Sequence, residues 1–93
     1  MMKAILQSPM NPRRGDAVNV GNVYANAHGR PFYKVVVGIA DGDRYNRVIC
    51  IHVAATGKLV GCSMQPMPYL SNHNDLVGTA EELPDFKIEW FKS

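Results

Sequence analysis

Cys50 and His52 stand two residues apart, so on a strand their side chains share one face. A tight turn at Ala55-Thr56-Gly57-Lys58 would fold the next strand back on theirs. Pivoting about Thr56-Gly57 sets Cys50 near residue 63 and His52 near residue 61, so Cys62 is one register step from either. Adding His73 from the next connection gives four soft or borderline ligands, a donor set that suits tetrahedral zinc. Structural zinc sites ordinarily bring two ligands together on a turn, and a Cys-x-His on a strand does not do this. The competing reading takes Cys50 and Cys62 as small hydrophobes and His52 as a half-buried side chain with a satisfied ring nitrogen.

Little else points to catalysis. Asp75 close to His73 would raise the imidazole pKa, but polar loops hold such neighbours without doing chemistry. The chain has no glycine-rich phosphate cradle, no nucleophile elbow and no histidine pair at i, i+4 spacing. The expectation is a non-catalytic domain that needs no cofactor.

A second constellation is basic and aromatic. Arg13 and Arg14 lie in a Pro-rich arm, Arg30 precedes Phe32-Tyr33-Lys34, and Tyr45 stands between Arg44 and Arg47. Small barrels bind nucleic acid by combining basic loops with exposed aromatic rings. Asp41 and Asp43 share the Tyr45 loop, and Glu81, Glu82, Asp85 and Glu89 make the C-terminal third acidic. Nucleic-acid binding through these arginines is therefore the alternative reading.

The preferred reading is contact with another protein, or with a second copy. Met64-Gln65-Pro66-Met67-Pro68-Tyr69-Leu70 combines adaptable methionines with prolines that lower the entropy lost on docking. Trp90 and Phe91 add an aromatic end to the chain. Met64, Met67, Tyr69, Leu70, Trp90 and Phe91 are the candidate contact residues. The blander possibility is that the methionines fill core gaps and the aromatics cover a barrel end.

Strands must position all of these groups. Phe32 to Ala40 is the strongest, because the β-branched run Val35-Val36-Val37 favours strand over helix. Arg47 to Ala54 and Leu59 to Gln65 follow as antiparallel partners. Asp16 to Tyr24 reads as a strand bent near Gly21, and Phe86 to Phe91 as the last strand. Leu76, Val77, Ala80 and Leu83 approximate helical spacing, which suggests a short helix or turns near 72–83. Residues 1–15 read as an arm in which Ala4 to Leu6 could form an edge strand, and 16–93 as one domain. Five strands in this length fit a small antiparallel barrel of SH3-like or OB-like size. An open sheet carrying one helix is the other possibility. The central strands are apolar on both faces, so some element or partner must cover part of the outside.

The 93 residues suit a single core. Charged residues are 19% and apolar residues 46% of the chain, a globular balance. The net charge of +2 is too small to mark a strong polyanion binder, but it conceals a polarity, with arginines concentrated before residue 48 and acids concentrated after residue 74. No stretch approaches the roughly 18 apolar residues of a membrane span. The N-terminus does not read as a signal peptide, so a cytoplasmic protein with two reduced cysteines is expected.

Overall fold

The computed structural model describes residues 2–7, 18–26, 32–81 and 88–92. Its centre is the strand the β-branched run demands. β3 (Phe32–Ala40) pairs antiparallel with β4 (Arg47–Ala54), and β4 with β5 (Leu59–Pro66). These three strands and the turn at 55–58 follow the expected boundaries closely. The turn closes with Gly57 N–H donating to the Ala54 carbonyl at 2.8 Å and Ala54 N–H to the Lys58 carbonyl at 2.8 Å. Gly57 has φ +88°, a conformation that costs other residues a clash between Cβ and backbone.

The rest of the sheet departs from the five-stranded antiparallel barrel. Among the described residues seven strands form one curled sheet in the order β5-β4-β3-β2-β6-β1-β7, a half-barrel. β2 is Asn22–Asn26, β6 is Asn74–Ala80 and β7 is Ile88–Lys92. β1 (Met2–Leu6) is not an edge strand. It lies between β6 and β7, with Met2 and Ala4 fully buried. Its pairing with β7 is parallel, so the sheet is mixed.

The segment expected to be helical near 72–83 is divided differently. A short helix, α1 (Met67–His73), comes first, and β6 follows. Pro66 and Pro68 do stop β5, but proline also suits a first helical turn, where its missing N–H has no partner to lose. At the other end Asn74 Nδ2 donates to the Leu70 carbonyl at 3.0 Å, satisfying an otherwise open helix acceptor. In β6, Gly78 lies against the Ile5 carbonyl, where a Cβ would not fit. The glycine that weakens a helix here permits close strand pairing with β1.

Two cores lie on the two faces. The concave core joins Met2, Ala4, Val23, Val35, Val53 and Ile88, among others, with Trp90 packed against it. Val53 and Ile88 belong to strands far apart in the sheet order and share one cluster only because the sheet curls. The outer core joins Val18, Tyr24, Val36, Val48, Cys50 and Leu70. There α1 provides the cover that the two-faced apolar strands require. Register shifts at Val23/Tyr24, Val36/Gly38 and His52/Val53 mark bulges, which bend strands and increase twist.

The curl is fastened at one end. Ile88 N–H donates to the Gly57 carbonyl at 3.3 Å, and Trp90 Nε1–H to the Ala54 carbonyl at 3.0 Å. Tyr33 and Trp90 pack as tilted rings with centroids 5.1 Å apart. A Cβ on Gly57 would run into the Ile88 carbonyl. Gly57→Ala is therefore expected to cost more than the roughly 1–2 kcal/mol of a left-handed residue alone. Urea unfolding checks this, and a loss below that range would mean the β7 contact carries no weight.

Candidate functional site

β5 is one edge of the sheet, and its outer side has no strand partner among the described residues. Its sequence, Leu-Val-Gly-Cys-Ser-Met-Gln-Pro, contains no charge. Three of its apolar side chains are well exposed: Leu59 at 38%, Val60 at 55% and Met64 at 56%. Cys62 is exposed as well. Beside this edge the concave face opens into an apolar groove of about 500 Å³, lined by Val37, Ile49, Ile51 and residues 59–62. The groove begins where the concave core ends, because β5 lies beyond the reach of the fastened β7.

Pairing explains which side chains face the groove. Cys62 lies opposite Ile51 and Met64 opposite Ile49, and opposed residues of an antiparallel pair share a face. Cys50 lies opposite Ser63, and His52 opposite Gly61, as the turn geometry anticipates. The same register shows why the zinc set fails. Residue 62 differs in parity from 61 and 63, so Cys62 points to the concave side while Cys50 and His52 point to the outer side. His73 sits on α1, its ring centroid 4.5 Å from that of Tyr69. Among the described residues no three His, Cys, Asp or Glu side chains gather closely enough to hold a metal ion. The structure does not bring Cys50, His52, Cys62 and His73 together as one metal centre.

The outer face holds a small polar row instead. His52 Nε2 and Ser63 Oγ are 2.8 Å apart, and Phe32 stacks on the His52 ring with centroids 4.6 Å apart. Gln65 Nε2 donates to Cys50 Sγ at 3.8 Å. Burial pushes the Cys50 thiol up, while the Gln65 hydrogen bond and the Lys34 charge pull it down less strongly. The row secures β5 to β4.

The expected contact segment, 64–70, is split by the fold. Met64 is exposed on β5 and Tyr69 is exposed on α1. Met67 is half-buried and Leu70 fully buried. Both pack in the outer core, and Leu70 has no exposed surface left for docking. Trp90 is half-buried with its indole N–H engaged, and Phe91 is exposed on β7. Leu59 and Val60 were not among the sequence candidates. Their signal was an uncharged strand next to a turn, which becomes meaningful only once that strand is known to be an edge.

The arginine constellation is partly assembled. Arg44, Tyr45 and Arg47 line one cleft of about 250 Å³ with Asp43 and Pro66. Tyr45 is 54% exposed. Arg13, Arg14 and Arg30 lie outside the described residues.

Both cysteines are free, one buried and one exposed. Because the reagent must reach the sulfur, exposed Cys62 should react quickly with dithionitrobenzoate in the native protein, and buried Cys50 only after unfolding. Two fast thiols in native protein would contradict the placement of Cys50 in the outer core.

No family model, curated protein or solved structure matches this chain.

Proposed function

We propose that this domain is a non-catalytic protein-interaction or assembly module, and that its working surface is the β5 edge with the adjoining groove. One observation carries the reading. Exposed apolar side chains are concentrated on an uncharged, unpaired edge strand. Sheet edges template pairing with another chain, and proteins ordinarily blunt them with charge, proline or cover. β5 has one bulge and a terminal proline but no charge. The opposite edge, β7, carries Glu89 and Lys92. A partner strand added to β5 would gain main-chain hydrogen bonds, and its side chains would reach the groove. This shifts the docking surface from Met64, Met67, Tyr69, Leu70, Trp90 and Phe91 to residues 59–64, with Met64 common to both.

The chemistry-bearing groups support a non-catalytic reading. Cys62 is the one titratable side chain among the described residues lining the groove. His52 and Ser63 sit on the other face, and neither lines either cleft described above. Both cysteines being free accords with the proposed cytoplasmic setting. Among the described residues no helix is long and apolar enough to cross a membrane.

Val60 or Met64, replaced in cells by photoreactive benzoylphenylalanine, should yield protein adducts. The same probe at exposed Asp41 or Thr79 should yield none. Adducts at the control positions with none on β5 would contradict the reading.

Nucleic-acid binding is the second reading, favoured by the shared cleft of Arg44, Tyr45 and Arg47. Fluorescence anisotropy with mixed oligonucleotides separates the two. The main reading expects a flat trace. A salt-dependent rise that disappears in Arg44→Glu/Arg47→Glu would establish the second reading instead.

A further inference from the structure

We infer that the occupant of the β5 edge is a second copy of this chain, paired β5 to β5 about a two-fold axis at Cys62-Ser63. The inference rests on the interaction reading above and names its partner. Three observations support it.

The first is charge. A two-fold interface sets a patch against itself, so any charge near the axis meets its own kind. From Leu59 to Pro66 there is none, and self-pairing meets no repulsion. The charged β7 edge lacks this property, with Glu89 and Lys92 within five residues.

The second is parity. Two antiparallel copies of one strand in a continuous sheet keep their faces matched only when residues of like parity oppose each other. An axis at Cys62 sets Cys62 opposite the second copy's Cys62, and Val60 opposite its Met64. An axis at Ser63 sets Cys62 opposite Met64. Each register thus sets exposed Met64 against an exposed residue of the second copy, Val60 or Cys62, and Pro66, which has no N–H to donate, falls at the end of the paired stretch.

The third is closure. The two-fold uses up both β5 edges and leaves the charged β7 strands as the ends of one sheet. The two apolar grooves then adjoin across the axis. Pairing of β5 with β7 of another copy would instead leave edges open and propagate.

Sedimentation equilibrium of the full chain should give twice its 10.3 kDa mass. Val60→Lys and Met64→Lys alter side chains that are more than half exposed, so the single chain should fold normally, as circular dichroism would confirm. Each should weaken association at least about tenfold, since a lysine would be buried against apolar side chains. Phe91→Lys on the far edge should leave association unchanged. A short bis-maleimide supplies a second test, because the two Cys62 residues are opposed or are diagonal neighbours roughly 7–8 Å apart. It should link wild-type chains into dimers and fail with Cys62→Ser.

A dimer that survives both lysine substitutions would overturn the inference, and so would a ladder of higher oligomers. A monomer up to millimolar concentration would overturn it too. In that event photo-adducts at Val60 with a different protein would leave the interaction reading standing, and an absence of adducts would remove both.

Discussion

The concave core depends on β7 returning to the β4–β5 turn. No second sheet covers that face among the described residues, so its apolar side chains are buried by curling the sheet over itself. The curl is held where Trp90 and Ile88 donate to the carbonyls of Ala54 and Gly57. The contact requires a residue without Cβ at position 57, in a backbone conformation that glycine adopts readily. It also sets the limit of the fold. β7 reaches the turn at one end of β5 but does not pair along it. The concave core is therefore sealed at the turn and open along the β5 flank.

The opening is where the functional reading begins. Edge strands in stable monomers are usually guarded, and β7 meets that expectation with its charges. β5 does not. Its exposed apolar residues continue a row that begins in the concave core, with Cys62 opposite Ile51 and Met64 opposite Ile49. The edge thus behaves as an interior strand that lacks a neighbour. Supplying a neighbour would extend both the hydrogen-bond ladder and the apolar layer.

Much of this was legible in the sequence where local physics dominates. The β-branched run fixed β3, and the Gly57 turn fixed the β4–β5 hairpin and its register. The apolar character of both faces called for an outer cover, which α1 provides. Sequence reading failed where tertiary contacts decide. Leu76, Val77 and Ala80 have helical spacing, yet β6 is a strand because β1 and β2 flank it and Gly78 admits the Ile5 carbonyl. β1 looked peripheral because only five residues pair, and its central position depends on strands more than 70 residues away. The metal reading used the correct register but missed its consequence. Adjacent residues on β5 alternate faces, so Cys62 cannot join Cys50 and His52. The contact residues were half legible. Met64 is exposed, whereas Leu70 and Met67 serve the outer core, a distinction that no local pattern encodes.

The central claim is that the β5 edge is the working surface of this domain. Amide hydrogen exchange, followed residue by residue across a range of protein concentrations, addresses it most directly. The β5 amides that do not pair with β4 should exchange fast in dilute protein and slow as concentration rises, while the outward amides of β7 beyond Ile88, whose N–H is bound to the Gly57 carbonyl, stay fast throughout. Outward β5 amides that exchange fast at every concentration, with protection developing at β7 instead, would contradict the account.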